Sequence, residues 1–158
     1  MNIVIDVKDF GLIRAELYED IAPLTVQNFL NLINDRFFDK LIFHRIISGF
    51  MIQGGGYDEN LNQKEAEPIK GEFASNGVKN NLKHTRGVLS MARTMVKDSA
   101  SSQFFIIHED APHLDGEYAA FGKVLEGMDV VDKIATVKTD GQDIPLQNIV
   151  ISSIRVEE

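Results

Sequence analysis

The sequence contains no cysteine, carries few basic residues and has no long apolar run. Without cysteine, disulfide bonds, cysteine-ligated zinc and thiol catalysis are all excluded. The 16 Lys and Arg residues against 24 Asp and Glu give a formal net charge of −8, whereas a general nucleic-acid binder needs clustered basic residues to contact phosphates. No apolar run approaches about 18 residues, and nothing resembles a signal peptide. We therefore expect no nucleic-acid partner, no membrane partner and a cytoplasmic location.

The pattern of apolar residues is that of a small β-rich domain. The length of 158 residues fits one domain with a sizeable core, spanning residues 1–158. Helical patterns are predicted over residues 23–35, with Pro23 in the first turn, and over 127–135. Strand-like runs are predicted at 2–7, 11–18, 42–47, 50–53, 87–92, 103–107, 119–124 and 147–156, the first two as a hairpin. Many short strands with two helices indicate a closed or nearly closed antiparallel β structure with helical caps.

A long polar segment separates the fourth and fifth predicted strands. Residues 57–86 are rich in Asn, Lys and Glu and contain Pro68, Gly71 and Gly77. Because the strand-like runs on either side are too few to form separate domains, this segment is a long loop region and not a linker. Loops of this length in compact domains are usually functional or mobile.

The stretch Phe43–Gly56, FHRIISGFMIQGGG, places an arginine in an otherwise apolar strand, with no carboxylate to neutralise it. Side chains two positions apart in a strand share a face. A bend at Ser48 and Gly49 would also bring Phe50 to the face that carries the arginine. If this strand neighbours the SSQFFII strand, one surface carries the following residues: Arg45, Met51, Gln53, Gln103 and Phe105.

Two interpretations of this surface are open. In the first, Phe50, Met51 and Phe105 are core residues and the Arg45 side chain extends to water. In the second, the unpaired guanidinium beside an apolar patch donates hydrogen bonds to a neutral oxygen or nitrogen of a substrate. The combination of these residues on one face favours the second interpretation.

Other kinds of chemistry fit the sequence less well. The segment His108–Asp115, HEDAPHLD, offers two histidines and three carboxylates, but its spacing matches none of the helical zinc motifs. No serine lies in a G-x-S-x-G turn, so a Ser-His-Asp triad is not supported. The glycines of QGGGY lack the Lys-Ser/Thr pair of a phosphate loop, and a close backbone approach explains them better.

Three segments, FHRIISGFMIQGGG, GVLSMAR and SSQFFI, closely resemble the cyclophilin family of peptidyl-prolyl cis-trans isomerases, in particular its bacterial, single-domain members. The resemblance extends over nearly the whole chain, including TVQNFLNL, KHTRGVLSMAR, HLDGEYAAFGKVLEGMDVVDKI and the terminal strand. It implies the fold of that family, an eight-stranded antiparallel closed β-barrel capped by two α-helices. It also implies the activity, which is to accelerate rotation about X-Pro peptide bonds and so assist protein folding.

The resemblance also assigns expected roles to individual residues. Arg45 matches the catalytic arginine of the family, and Gln53 matches the glutamine that orients the substrate backbone and the arginine. Ala92 and Arg93 match main-chain positions that pair with the residues preceding proline, and Gln103 matches another polar contact of the groove. The walls of the pocket for the proline ring are expected to be Phe50, Met51, Phe105 and Leu114.

Three positions depart from the best-known eukaryotic members of the family. His113 stands where those members have a tryptophan that helps bind cyclosporin, so weak cyclosporin binding is expected. Tyr118 replaces a histidine, and Arg93 replaces an asparagine whose backbone matters more than its side chain. His113 and Tyr118 are still expected among the substrate contacts. The departures affect ligand preference and leave the arginine and the proline pocket in place.

The resemblance therefore predicts a monomeric isomerase that needs no cofactor and no metal and acts on proline-containing peptides and folding polypeptides. In this interpretation Arg45 stabilises the twisted transition state while the apolar pocket holds the proline ring. Two alternatives stay open at this point. One is a proline-peptide binding module with little catalysis, and the other is a structural or chaperone-like protein that uses the groove or the 57–86 loop.

Overall fold

The computed structural model describes residues 1–157, and Glu158, the last residue of the predicted domain, lies outside the described residues. In this part of the chain the helices are α1 (Pro23–Asn34) and α2 (Met128–Ala135). Two short 3₁₀ turns cover Ala74–Asn76 and Pro112–Leu114. The strands are β1 (Asn2–Val7), β2 (Gly11–Leu17), β3 (Arg45–Ile47), β4 (Met51–Gly54), β5 (Val88–Met91), β6 (Phe104–Ile107), β7 (Ala120–Glu126) and β8 (Ile151–Glu157).

The strands form one antiparallel sheet in the order β3-β4-β6-β5-β7-β2-β1-β8. The sheet curls until the segments that precede its two edge strands meet. There, Phe43 N–H donates to Ile149 O at 3.0 Å, and Ile151 N–H donates to Leu41 O at 2.7 Å. The predicted eight-stranded antiparallel fold with two helices is confirmed, and its closure depends on this short bridge instead of a ladder between β3 and β8.

The same bridge explains where the predicted strand bounds were wrong. The strand predicted at 42–47 is regular only from Arg45, because Leu41 and Ile42 form only isolated bridges, to Asp58 and Val150, which do not continue into the β3–β4 ladder. The strand predicted at 147–156 likewise begins at Ile151, after the bridge. The other strands and both helices lie within two residues of their predicted bounds.

The interior of the curled sheet is filled by one apolar cluster with members from all eight strands and both helices. Four phenylalanines form its centre. The Phe29 ring of α1 lies 4.9 Å from Phe38, 5.3 Å from Phe104 and 5.1 Å from Phe121, measured between centroids. The stripe that predicted α1 is the side that is buried, with Val26, Phe29 and Ile33 facing the cluster. Side chains therefore occupy the inside of the barrel.

A second apolar cluster lies on the outer face of the sheet and is here called the outer cluster. It forms because the chain between β6 and β7 folds back across β5 and β6, so that all four residues of each of these strands are buried. Buried members of the outer cluster are Met51, Val88, Phe105, Ile107, Ala111, Leu114 and Ala120. The outer face thus has its own packed floor beneath a surface open to solvent.

The 57–86 region packs against the barrel at several points. Phe73 belongs to the interior cluster, and Glu72 is only 3% exposed. The Glu72 carboxylate accepts hydrogen bonds from the Thr25 N–H at 2.6 Å and from the Thr25 hydroxyl at 2.7 Å. Because a negative charge is stabilising in the first turn of a helix, Glu72 fixes this loop to the start of α1. No helix within residues 1–157 has the length and hydropathy to cross a membrane.

Candidate active site

The β3–β4 hairpin and strand β6 bring the predicted site residues into one row. Arg45 of β3 pairs with Gln53 of β4, and Gln53 in turn pairs with Phe105 of β6. Since paired residues in adjacent strands lie on the same face of a sheet, the three side chains lie on the outer face. The expected pairing of β4 with β6 is confirmed, and the expected surface follows from it.

A cleft of about 320 Å³ opens over this row of residues. Gln103 lies beside it in an adjoining depression of about 180 Å³, which Gln53, Ala92 and Arg93 also line. The sequence had named every residue that lines the main cleft: Arg45, Phe50, Met51, Gln53, Ala92, Arg93, Phe105, His113, Leu114 and Tyr118. The structure therefore brings all the candidate residues together at one place.

The apolar floor of the cleft is part of the outer cluster. Met51, Phe105 and Leu114 are 2%, 4% and 7% exposed, so little of each remains for a ligand to cover. The Tyr118 ring meets Phe105 edge-on, with centroids 5.8 Å apart, at one side of the floor. At the other side, the Phe50 ring lies 5.4 Å from His113. Rings on two sides and a dry floor suit a small apolar ring of a ligand.

The polar edge of the cleft is a short chain of side-chain hydrogen bonds. Gln53 Nε2 donates to Gln103 Oε1 at 3.0 Å, which leaves Gln53 Oε1 to accept from Arg45 Nη1 at 3.4 Å. Among residues 1–157, no carboxylate oxygen lies within 4.0 Å of the Arg45 guanidinium. The exposed guanidinium is therefore oriented by an amide and keeps donors for a ligand.

Arg93 lines the cleft, but its guanidinium is engaged within the protein. Its Nε and Nη2 donate to Glu117 O at 3.1 and 2.7 Å, and its Nη1 donates to Thr94 O at 2.9 Å. The guanidinium carbon lies 4.7 Å from the ring centroid of Phe73 and 4.8 Å from that of Tyr118. Held between two rings, the side chain fixes Tyr118 in place. The guanidinium is thereby occupied with contacts inside the protein, and the expected main-chain pairing at this position stays a prediction.

A buried polar group beneath Phe105 was missed by the sequence analysis. The His84 ring, 1% exposed, is nearly parallel to the Phe105 ring, with centroids 6.1 Å apart. His84 Nε2 lies 2.8 Å from Ser90 Oγ, and its Nδ1 lies 3.1 Å from Asp115 Oδ1. Burial lowers the pKa of His84, although the neighbouring carboxylate of Asp115 acts in the opposite direction. The only local signal was Ser90, a hydroxyl inside the apolar strand VLSM.

The residues of the 108–115 segment that suggested a metal site do not converge. His108 Nε2 lies 3.2 Å from Asp132 Oδ1, Asp110 accepts the Arg86 N–H, and Asp115 bonds His84. Within residues 1–157, no group of three or more His, Asp or Glu side chains is arranged to hold a metal ion. Each side chain instead fixes part of the chain around the cleft.

Comparisons with known proteins agree on one family. Residues 2–156 match the family model described as cyclophilin type peptidyl-prolyl cis-trans isomerase. A peptidyl-prolyl cis-trans isomerase of Acinetobacter baylyi is 46% identical, covering 99% of this chain and 86% of the relative. Peptidyl-prolyl cis-trans isomerase B of Escherichia coli is 45% identical, covering 94% of this chain and 95% of the relative. The fold is also similar to that of a Cryptosporidium parvum cyclophilin-type isomerase, whose crystal structure was determined in the presence of the dipeptide Ala-Pro. The alignment covers 100% of this chain and 99% of that chain, with a TM-score of 0.88 and 30% sequence identity.

Proposed function

The chain belongs to the cyclophilin-type peptidyl-prolyl cis-trans isomerases and is an enzyme of that class, and from this premise we propose that Arg45 stabilises the twisted transition state of an X-Pro bond held in the cleft. A trans or cis peptide bond is planar, and rotation about it has a barrier of about 18–20 kcal/mol. For X-Pro bonds the two isomers lie within about 1 kcal/mol of each other, so both are populated but exchange slowly. The enzyme lowers the barrier without favouring either isomer.

The chemical basis of the proposal is the change at the proline nitrogen. In the planar amide its lone pair is delocalised into the carbonyl and accepts no hydrogen bond. In the twisted state the conjugation is lost and the nitrogen becomes an acceptor. A guanidinium beside that nitrogen therefore binds the twisted state better than either planar isomer, which is the condition for catalysis.

The observation that carries this proposal is the exposed, carboxylate-free guanidinium of Arg45 beside a cleft with an apolar floor. A nearby carboxylate would compete with the substrate for the guanidinium, whereas the neutral Gln53 amide orients it. We assign Phe50, Met51, Phe105 and Leu114 to the proline ring, because these side chains form the apolar walls and floor. At the floor of the cleft, where Met51, Phe105 and Leu114 exclude water, the charge-separated planar amide is disfavoured relative to the twisted one.

The proposed substrates are proline-containing peptides and folding polypeptides. The Ala-Pro dipeptide used with the Cryptosporidium parvum relative supports this class of ligand. The peptide residues before proline are assigned to the stretch at Ala92 and Arg93, which lines both the cleft and the adjoining depression beside Gln103. A single-domain monomer in the cytoplasm is proposed from the sequence, and gel filtration and cell fractionation test these two points.

The test compares wild type with Arg45→Ala on a short X-Pro peptide, with cis–trans exchange followed by NMR. We expect catalytic efficiency to fall by about 10²-fold, as loss of one preorganised donor typically causes. Arg45→Lys keeps the positive charge but lacks the planar guanidinium, so its catalytic efficiency should lie between those of wild type and Arg45→Ala. Arg155→Ala, which removes an exposed arginine of β8 outside the cleft, is the matched control and should match wild type.

Two results would contradict the proposal. Unchanged turnover in Arg45→Ala, with the fold intact by circular dichroism, would remove Arg45 from the mechanism. Peptide binding by wild type without faster exchange would make the chain a proline-peptide recognition module.

A further inference from the structure

The turn between β3 and β4 carries Phe50, one wall of the cleft, and its tip makes few contacts with the rest of the protein. It runs from Ile47 to Phe50, with Phe50 N–H donating to Ile47 O at 3.0 Å. Gly49 has a φ of +82°, and no atom lies within 4 Å of the point where its Cβ would be. The turn therefore projects into open space at Gly49, and the backbone that carries the Phe50 ring to its place beside His113 is held by hydrogen bonds at the base of the turn.

His108, which directly follows β6, supplies two of those hydrogen bonds. Its backbone N–H donates to Phe50 O at 2.8 Å, and its Nδ1 accepts the Gly49 N–H at 2.9 Å. Because Nδ1 accepts a backbone N–H, it carries no proton, and the ring proton is on Nε2. Nε2 lies 3.2 Å from Asp132 Oδ1 of α2. The neutral imidazole thus links the turn to a helix.

Charged groups fix the far side of this imidazole. Arg86 donates from Nη1 and Nη2 to the two carboxylate oxygens of Asp132 at 2.8 and 2.7 Å, and its Nη1 also donates to His108 O at 2.9 Å. The Arg86 guanidinium holds the pKa of Asp132 below its usual range, so the carboxylate is ionised at neutral pH. Two further carboxylates act on Arg86, since Asp110 accepts its backbone N–H and Glu109 interacts with its charge.

We propose that His108 is a positioning residue of the isomerase, whose neutral ring fixes the 47–50 turn and thereby the Phe50 wall of the proline pocket. The inference rests on the proposed function, since it gives Phe50 the role of a pocket wall. Loss of the Nδ1 acceptor would remove the side-chain hydrogen bond of the turn. It would weaken substrate binding through the turn, while the chemistry at Arg45 is left intact.

Three substitutions at His108 separate the parts of this proposal. Asn can place an oxygen near the position of Nδ1, so His108→Asn should keep the Gly49 hydrogen bond. Gln reaches toward Asp132 but offers no acceptor at the Nδ1 position, and Ala removes both contacts. We expect KM at pH 7.5 to rise about 3- to 10-fold in His108→Ala and His108→Gln, with kcat nearly unchanged, because one hydrogen bond that positions the wall is lost.

Rescue by the conservative variant provides the second readout. We expect KM of His108→Asn to stay near that of wild type, because the acceptor for the Gly49 N–H is kept, while KM of His108→Gln rises. A merely structural role for His108 would lower stability without separating KM from kcat and without this difference between the Asn and Gln variants.

NMR tests the contact independently of catalysis. The ¹⁵N shifts of the His108 ring should show an unprotonated Nδ1, and the Gly49 amide resonance should shift in His108→Ala and His108→Gln but much less in His108→Asn. If the proposed isomerase activity failed, these resonances and peptide affinity would still report the turn. The inference is overturned if His108→Ala binds and turns over peptide like wild type, if His108→Asn raises KM as much as His108→Gln does, or if the Nδ1 of the ring carries the proton.

Discussion

Replacing His44 with phenylalanine should flatten the acid side of the stability profile. The His44 ring lies against Tyr57, with centroids 4.5 Å apart, and its Nδ1 is buried without a hydrogen-bond partner among residues 1–157. Burial, and then the positive charge of Arg45, lower the pKa of His44 from 6.5 to about 4. Phenylalanine keeps the ring contact and removes both the unpaired nitrogen and the titration.

The sign and size of the effect follow from the two pKa values. Because His44 has a lower pKa in the folded state, it is protonated in the unfolded state first as pH falls below about 6.5. The stability contribution is therefore complete above that pH, is lost as pH falls and levels off below about pH 4. With pKa values of 6.5 and about 4, the loss relative to pH 8 is about 2 kcal/mol at pH 5 and about 3 kcal/mol at pH 4. These figures are ceilings, because the ring keeps some solvent contact.

The measurement is urea unfolding of both proteins at pH 8, 7, 6 and 5. The chain has no tryptophan, so far-ultraviolet circular dichroism is the appropriate signal. The free energy of unfolding of wild type, minus that of His44→Phe, should be lower at pH 5 than at pH 8 by up to about 2 kcal/mol. Contributions from other groups, such as the buried His84, occur in both proteins and cancel. Parallel stability profiles of the two proteins would refute the reasoning.

Three further predictions concern the walls of the cleft. Phe105→Ala should weaken peptide binding as well as turnover, because it opens the pocket. Intact binding in a peptide titration would count against this prediction. Phe105→Leu is a milder change that can be used if the alanine variant folds poorly. Arg93→Lys should lower the free energy of unfolding by about 1–3 kcal/mol, because the two hydrogen bonds to the Glu117 carbonyl and the stacking on Tyr118 are lost. A free energy of unfolding in urea equal to that of wild type would contradict the contacts assigned to Arg93. Cyclosporin should bind weakly, since His113 replaces an indole, and a nanomolar inhibition constant would overturn this expectation.

The location of the site could be predicted from the sequence because it depends on local alternation. Strand residues two apart share a face, so Arg45, Gln53 and Phe105 could be placed on one surface once their strands were taken as neighbours. The helices could be predicted equally well from local sequence, since Pro23 marks the start of α1 and the apolar stripe that follows it marks the buried side. The family resemblance supplied the strand count and the remaining positions.

The contacts that support the site could not be read in this way, because they join residues far apart in the chain. Gly49 and His108 are 59 positions apart, and His84 and Asp115 are 31 positions apart. Nothing in their neighbouring residues indicates that these side chains meet. The direction of the Arg93 guanidinium is a similar case, because its acceptor, the Glu117 carbonyl, is 24 positions away. Such pairings are properties of the packed fold and not of any one segment.

The placement of the cleft on the outside of the barrel determines which polypeptides can enter it. Side chains fill the interior, so a client meets the enzyme only at the convex surface above Phe105. A polypeptide can enter a closed tunnel only from one of its ends, whereas it can bind in an open surface cleft at any point along its length. If substrate binds in the cleft as proposed, a proline in the middle of a long polypeptide is then as accessible as one near a terminus.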